Sequence, residues 1–242
     1  MGERSGYLGL LESDPLTVVP CTLLVVAKAP VPGLAKTRLA STVGPDVAAD
    51  LAAAALLDTL AAVLDADVAA RVVALTGDLD LAARSADLRG LLAHCTVIGQ
   101  RGDALGERLA AAHRDAGEVA PGPVLQIGMD TPQVTASLLT GAAVTLADGS
   151  ADAVYGPASD GGWWALGLAD PSRAGFLSDV AMSESDTGAR TFRALREFCG
   201  DVRELPVLTD VDLVGDVWAV AAGLGPDSRF RQAAVDHGAT RW

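Results

Sequence analysis

Cysteine, histidine, aromatic residues and positive charge are all scarce in this chain of 242 residues. The three cysteines, Cys21, Cys95 and Cys199, are far apart, odd in number and form no C-x-x-C. That spacing excludes a zinc ribbon and a dithiol redox pair, and fits reduced thiols in a cytosolic protein. His94, His113 and His237 form no ligand pattern, so no role is read for them. Lys and Arg number 18 against 31 Asp and Glu, a net charge of −13. Such a chain has no basic face for the phosphates of a nucleic acid, and none for anionic lipid. The apolar run at 16–27 is short, follows Glu12 and Asp14, and is broken by Pro20. It lacks the cationic start and small-residue cleavage site of a signal peptide. No run reads as long enough to span a bilayer. The expectation is a cytoplasmic protein without membrane insertion, whose oligomeric state the sequence leaves open.

Several familiar motifs are missing as well. The stretch Gly33-Leu34-Ala35-Lys36-Thr37 suggests a P-loop, but that motif needs Gly where Pro30 and Ala35 stand. No G-x-G-x-x-G follows the first strand, which disfavours a dinucleotide fold, and no G-x-S-x-G marks an α/β-hydrolase.

What is present is an alternation of apolar runs and Ala-rich amphipathic segments. Strands are expected at 22–28, 71–76, 94–98, 123–127, 151–155, 163–168 and 202–206. Helices are expected at 45–64, 80–92, 103–116, 187–199 and 213–222, with another running from Pro132 to about Leu146 and capped by Thr131. The alternation predicts an α/β fold with a mainly parallel sheet flanked by helices. Residues 1–20 read as a loose leader, 21–222 as a single domain and 223–242 as a C-terminal tail. Ligands on such sheets bind beyond the carboxyl ends of the strands. The unusual loops lie there: 29–36, 77–78, 99–103 and 128–132.

The first of these carries Lys28, Gly33, Lys36 and Arg38, a local reversal of sign in an acidic chain, held between two prolines. A Pro/Gly loop with cations after a buried strand suits an anion; the same residues also suit a solvated surface turn. Asp130 follows an apolar strand at the ligand edge, where a carboxylate can hold Mg²⁺ or Mn²⁺ against a diphosphate; it can equally be an acid at a helix N-terminus. Asp210 and Asp212 could supply a second carboxylate. In the segment 156–164, Asp160 could orient a hydroxyl or act as a base, the paired Gly161 and Gly162 permit close backbone approach, and Trp163 or Trp164 could stack on a ring; a β-hairpin with a buried Trp fits as well. Gln100 to Arg108 could line a nucleotide pocket or simply cap a helix.

Together these segments resemble the DUF2064 family of glycosyltransferase-A-type, nucleotide-diphospho-sugar transferase-like proteins. The resemblance rests on 26–39 (V-A-K-A-P-V-P-G-L-A-K-T-R-L), on Q-x-x-G-x-L-G-x-R at 100–108, on G-x-D-x-P at 128–132, on 156–168 and on L-P-x-x-x-D-x-D at 205–212. It implies a Rossmann-like sheet and a nucleotide at the first loop, with Gln100, Gly106 and Arg108 in the nucleotide site. It implies a divalent metal (Mg or Mn) on Asp130, with Asp212 as second ligand. It also implies transfer from a nucleotide sugar to a small-molecule acceptor beside Asp160, Gly161, Gly162 and Trp163. Lys36-Thr37-Arg38-Leu39 is also similar to the K-S-R-L of phospholactate guanylyltransferases. This keeps nucleotidyl transfer from a nucleoside triphosphate, or a nucleotide-binding relative without chemistry, as alternatives. The chain departs from the family's pattern at Met129, Thr131 and Trp163, which bears on the acceptor.

Overall fold

The computed structural model describes residues 18–239; residues 1–17 of the leader expected at 1–20, and the final three residues of the expected tail, lie outside the described part. β1 (Val19–Lys28) is the axis of the molecule. Its run of Leu23, Leu24 and Val25 is fully buried, as a strand covered on both faces requires. β2 (Val68–Thr76) and β4 (Val124–Ile127) pair with it in parallel, and β3 (Thr96–Gly99) extends the sheet beyond β2. On the other side, β6 (Trp163–Leu168) runs antiparallel between β4 and β5 (Ala153–Pro157), and β7 (Val202–Glu204) closes that edge parallel to β5. The order is β3-β2-β1-β4-β6-β5-β7. The sheet is therefore mainly parallel, in the expected α/β class.

Helices cover both faces. On one, α2 (Pro45–Asp65) and α5 (Ala136–Ala147) bury Leu56, Leu60, Leu139 and Leu146 against Leu23, Val25, Leu125 and Ile127. On the other, α4 (Leu105–Val119), a 3-10 stretch (Pro171–Asp179) and α6 (Thr187–Phe198) pack on the alternate side chains of the same strands. Each fully buried Leu contributes about 1.5–3 kcal/mol, so this double cover is what fixes β1 at the centre. Gly44 (φ 87°) and Pro45 set the start of α2, where Pro belongs because its missing N–H has no partner to lose.

The structure corrects several expectations. A short helix, α1 (Thr37–Val43), follows the cationic loop. The segment expected as one helix at 80–92 is a 3-10 turn (Leu79–Leu81) and then α3 (Ser85–Leu92). Thr131 does not cap α5: residues 131–135 form a turn, and Thr135 caps instead, its hydroxyl accepting from the Leu138 amide at 3.2 Å. Val19 and Pro20, counted with the leader, begin β1. The expected tail contains α8 (Arg229–Asp236), which packs with α7 (Val214–Gly223) on the outer side of α2. The Asp58 carboxylate on α2 holds α8 by its first turn, accepting from Ser228 Oγ (2.7 Å) and from the amides of Arg229 and Phe230 (3.0 Å each).

The membrane expectation is also adjusted. α2 is long and apolar enough, by length and composition, to cross a bilayer, with a mean hydropathy of 1.9. Two-thirds of that stretch is buried between the sheet and α8, which accounts for its composition in another way.

Candidate functional site

The carboxyl ends of β1 and β4 bring the cationic loop and Asp130 together. Lys36 adopts a left-handed backbone (φ 46°, ψ 52°), rare for a residue with a Cβ. That turn directs its side chain, only 12% exposed, onto Asp130 Oδ2 (2.5 Å) and Asp212 Oδ1 (3.1 Å). Burial opposes its charge, but the two adjacent carboxylates outweigh burial, and its pKa lies above that of an ordinary lysine. Arg38, 67% exposed, donates to the other oxygen of Asp212 at 2.9 Å. Lys28 instead braces its own loop, donating from Nζ to the Leu34 carbonyl at 2.7 Å, while Gly33 (φ 76°) makes the bend. The three cations expected to meet an anion thus rest on oxygens of the chain.

Asp212 arrives from a segment tied to β4's loop, because the Val211 amide donates to the Asp130 carbonyl at 3.0 Å. Asp210 comes with it. One oxygen of Asp210 is buried without a partner. Burial first, then the charges of Asp130 and Asp160, push its pKa up to about 6.

Asp160 sits on the β5–β6 hairpin. Because β6 is antiparallel, this hairpin opens on the same edge of the sheet as the loops after β1 and β4. The Gly162 amide donates to Asp160 Oδ1 at 2.7 Å, which leaves Oδ2 free of that bond. Gly161 (φ 93°) is required by the turn and by contact, since a Cβ there would stand 2.3 Å from the Ser185 carbonyl. Gly188 in α6 donates its amide to the Gly161 carbonyl at 2.8 Å and leaves no room for a side chain. Trp163 lines the site. Trp164 is a core residue, its indole N–H donating to the Pro206 carbonyl at 3.0 Å.

Two cavities meet here. The larger, about 550 Å³, lies beneath the hairpin. Its wall has an apolar part that includes Leu105, Leu109 and Trp163, and an acidic part of Asp130, Asp160, Glu184 and Asp212; among the described residues Arg38 is its one cationic residue. The smaller, about 330 Å³, lies against the β1–α1 loop and takes Lys28, Lys36 and Arg38 into its lining. Arg38, Met129 and Asp212 belong to both, so the compartments adjoin.

The element at 100–108 stands apart from both cavities, apart from Leu105. Gln100 donates its amide to the carbonyls of Ala27 (2.8 Å) and Ala74 (2.9 Å), joining the ends of β1 and β2. Arg108 donates to the carbonyls of Gly102 and Asp103, and Gly106 lets α4 lie on the Leu177 carbonyl, which a Cβ would meet at 2.3 Å. These polar groups are occupied by backbone, which gives the element an architectural job. Sequence reasoning missed Gly188. A glycine inside a helical pattern was the available signal.

Among the described residues, no group of three His, Cys, Asp or Glu forms a metal cage. The pair Asp130 and Asp212 nonetheless fits Mg²⁺ or Mn²⁺. Two hard oxygen donors already converge on one cationic atom, and such ions commonly take one or two carboxylates and complete their shell from water and phosphate.

Comparison with known proteins adds family and fold. The chain is 33% identical over 211 residues to a phosphoenolpyruvate guanylyltransferase of Streptosporangium roseum, covering 86% of each. A solved structure from Desulfovibrio desulfuricans carries the provisional assignment of nucleotide-diphospho-sugar transferase. It superposes with a TM-score of 0.78 at 26% identity, over 91% of this chain and 96% of that one. A Mycobacterium tuberculosis protein solved with manganese shares the fold alone, at 18% identity and a TM-score of 0.50, over 85% of this chain and all of that one. The family model of DUF2064, an uncharacterized protein conserved in bacteria, matches residues 59–184. With the sheet order, the loop positions and this match, the chain belongs to the DUF2064 family.

Proposed function

We propose that this chain is a metal-dependent glycosyltransferase that uses a nucleotide-diphospho-sugar as donor. The observation that carries the reading is the division of the site. A cationic compartment at the β1–α1 loop adjoins an acidic, partly apolar one at the hairpin. A diphosphate is matched by Lys28, Lys36 and Arg38. A sugar, whose hydroxyls donate hydrogen bonds and whose ring faces are apolar, is matched by Asp160, Glu184 and Trp163.

Asp130 and Asp212 would hold the divalent ion, which when bound supplies positive charge to the departing diphosphate. Lys36 and Arg38 add fixed charge at the same place, where it lowers the barrier most. Gly161 and Gly162 hold the backbone close to the cavity, and the Gly162 amide fixes Asp160. Its Oδ2 takes the proton of the acceptor hydroxyl as that oxygen attacks the anomeric carbon. The bond from that carbon to the phosphate oxygen breaks, and a nucleoside diphosphate leaves.

Nucleotidyl transfer is the second reading, favoured by the Streptosporangium relative. It asks the larger cavity to take a phosphorylated acceptor against four carboxylates and one arginine. Purified protein with Mn²⁺ is offered nucleotide sugars, and separately nucleoside triphosphates with phosphoenolpyruvate. Release of nucleoside diphosphate from a nucleotide sugar, lost in Asp160→Asn, is expected. Pyrophosphate release with phosphoenolpyruvate, and no turnover of any nucleotide sugar, would replace the first reading by the second.

A further inference from the structure

Arginine supplies sixteen of the 18 cationic side chains; the two lysines of the sequence are Lys28 and Lys36, both on the first loop. The difference is chemical. A guanidinium is a flat fork that grips planar oxyanions, whereas an ammonium is a compact point charge with three donors. Among side chains the ammonium therefore comes nearest to a metal ion in how it gathers oxygens. Lys36 is used in that way. Its Nζ joins Asp130 Oδ2 (2.5 Å) to Asp212 Oδ1 (3.1 Å), the two carboxylates that fit a divalent ion. Its left-handed backbone is strained for a residue with a Cβ, and such strain persists where the surroundings hold it; here the two carboxylates do.

The same contact stands in the way of an ion. Asp212 has both oxygens engaged, Oδ1 by Lys36 and Oδ2 by Arg38. An ion that takes Asp212 competes with a cation at either oxygen, and Lys36 is the one that also holds Asp130. The carboxylates are 28% and 29% exposed, so an ion reaches them from solvent. The contact lies at the border of the two cavities: Asp130 lines the larger, Lys36 the smaller and Asp212 both. A displaced ammonium needs another anion. Among the described residues Asp212 is the one acid in the lining of the smaller cavity, which Lys28 and Arg38 also line, so the chain offers no replacement there. The diphosphate of the donor does.

We propose that Lys36 is a positioning residue that exchanges partners: its ammonium holds Asp130 and Asp212 together until a divalent ion takes them, and then turns to the diphosphate. The inference rests on the metal-dependent transferase reading. It makes Lys36 the link between the two ligands. The ion alone must displace the ammonium, and the diphosphate alone must draw it away from two carboxylates. Together, each relieves the other of that cost. By linkage, each then strengthens the binding of the other by the same factor.

Acylation of lysine by sulfo-N-hydroxysuccinimide acetate, read by peptide mass spectrometry, tests this on the wild-type chain, with the exposed Lys28 as internal reference. In EDTA, Lys36 is expected to react at least about tenfold more slowly than Lys28, since two carboxylates hold it. Saturating Mn²⁺, confirmed by thermal stabilisation, is expected to raise the Lys36 rate at least about fivefold, and UDP, GDP, CDP or ADP added with Mn²⁺ to lower it again. Mn²⁺ that stabilises the chain but leaves the Lys36 rate unchanged overturns the exchange and leaves the metal-dependent reading in place. Mn²⁺ that neither stabilises the chain nor changes the rate overturns both. A rate that rises with Mn²⁺ and is lowered by none of the four diphosphates also overturns the exchange. Lys36→Met gives a second measure. Mn²⁺ is expected to improve diphosphate affinity, read from thermal shifts, by a factor at least about fivefold smaller in the variant than in wild type. An equal factor in both proteins overturns the proposal.

Discussion

Lys36→Met isolates the centre of the site, because Met keeps an unbranched chain only one atom shorter while removing the ammonium. In the wild type the Lys36 side chain is 12% exposed and its ammonium lies between Asp130 and Asp212. Removing one partner of a fully buried pair leaves an uncompensated charge and costs roughly 3–5 kcal/mol. Here the carboxylates are 28% and 29% exposed, so water recovers part of that, and Arg38 still holds Asp212. A loss of about 1–3 kcal/mol is expected. For a protein of this size that lowers the melting temperature by roughly 2–4 °C per kcal/mol, or about 4–8 °C at the centre of the range. Melting at pH 7.5 in low salt with EDTA measures it. Millimolar Mn²⁺ should then restore the variant by several degrees more than it raises wild type, because the two carboxylates no longer have the ammonium between them. A variant as stable as wild type would show that the three-way contact contributes nothing. Equal Mn²⁺ shifts in both proteins would show that the ion does not take the place of the ammonium between Asp130 and Asp212.

Three other perturbations test separate parts of the structure. Asp210 has a folded pKa raised from 3.8 to about 6, so its contribution to stability is present in full below pH 3.8 and lost as pH rises through 6; Asp210→Asn should melt like wild type near pH 4 and above it at pH 7–8, and a constant gap across that range would refute the assignment. Gly188→Ala places a Cβ about 2.5 Å from the Gly162 carbonyl, which must displace the hairpin that carries Asp160; turnover should fall at least tenfold with a smaller change in diphosphate affinity, and full activity in a folded variant would count against the placement of Asp160. Asp58→Ala removes four hydrogen bonds to the start of α8, one of them the long contact from the Arg229 guanidinium; bonds to a charged group contribute about 1.5–3 kcal/mol each, and water replaces part of that at the helix end, so stability should fall by about 3–5 kcal/mol and α8 should be exposed first to proteolysis.

The parts of the fold written in local pattern were readable. β1 announced itself by an unbroken apolar run, and the loops after β1 and β4 followed from where strands end. Strand direction is not written in that pattern: 163–168 reads the same run either way, so the antiparallel β6, which brings Asp160 to the site, required the structure. Thr131-Pro132 imitates a helix start as well as Thr135, four residues on, does; only the turn geometry separates them. α8 has eight residues after a Gly/Pro stretch, too short for its periodicity to stand out, and its evidence is the distant Asp58. The cations were visible as a cluster. Their partners were not, because contacts from Lys36 to Asp130 and Asp212 span 94 and 176 positions of chain.

The cover over α2 has a consequence for how the protein is made. Its inner side chains find the sheet early, since β1 and β2 flank it in the chain. Its outer ones, Leu51, Ala54 and Ala55, are closed off by Phe230 and Ala233, which are synthesised well over a hundred residues after α2. At about 5–20 residues per second, a helix with the hydropathy of a membrane span waits roughly ten seconds or more for its lid. During that interval the nascent chain presents the surface that chaperones and membrane-targeting factors recognise, and a ribosome stalled before α8 would deliver a product prone to aggregate.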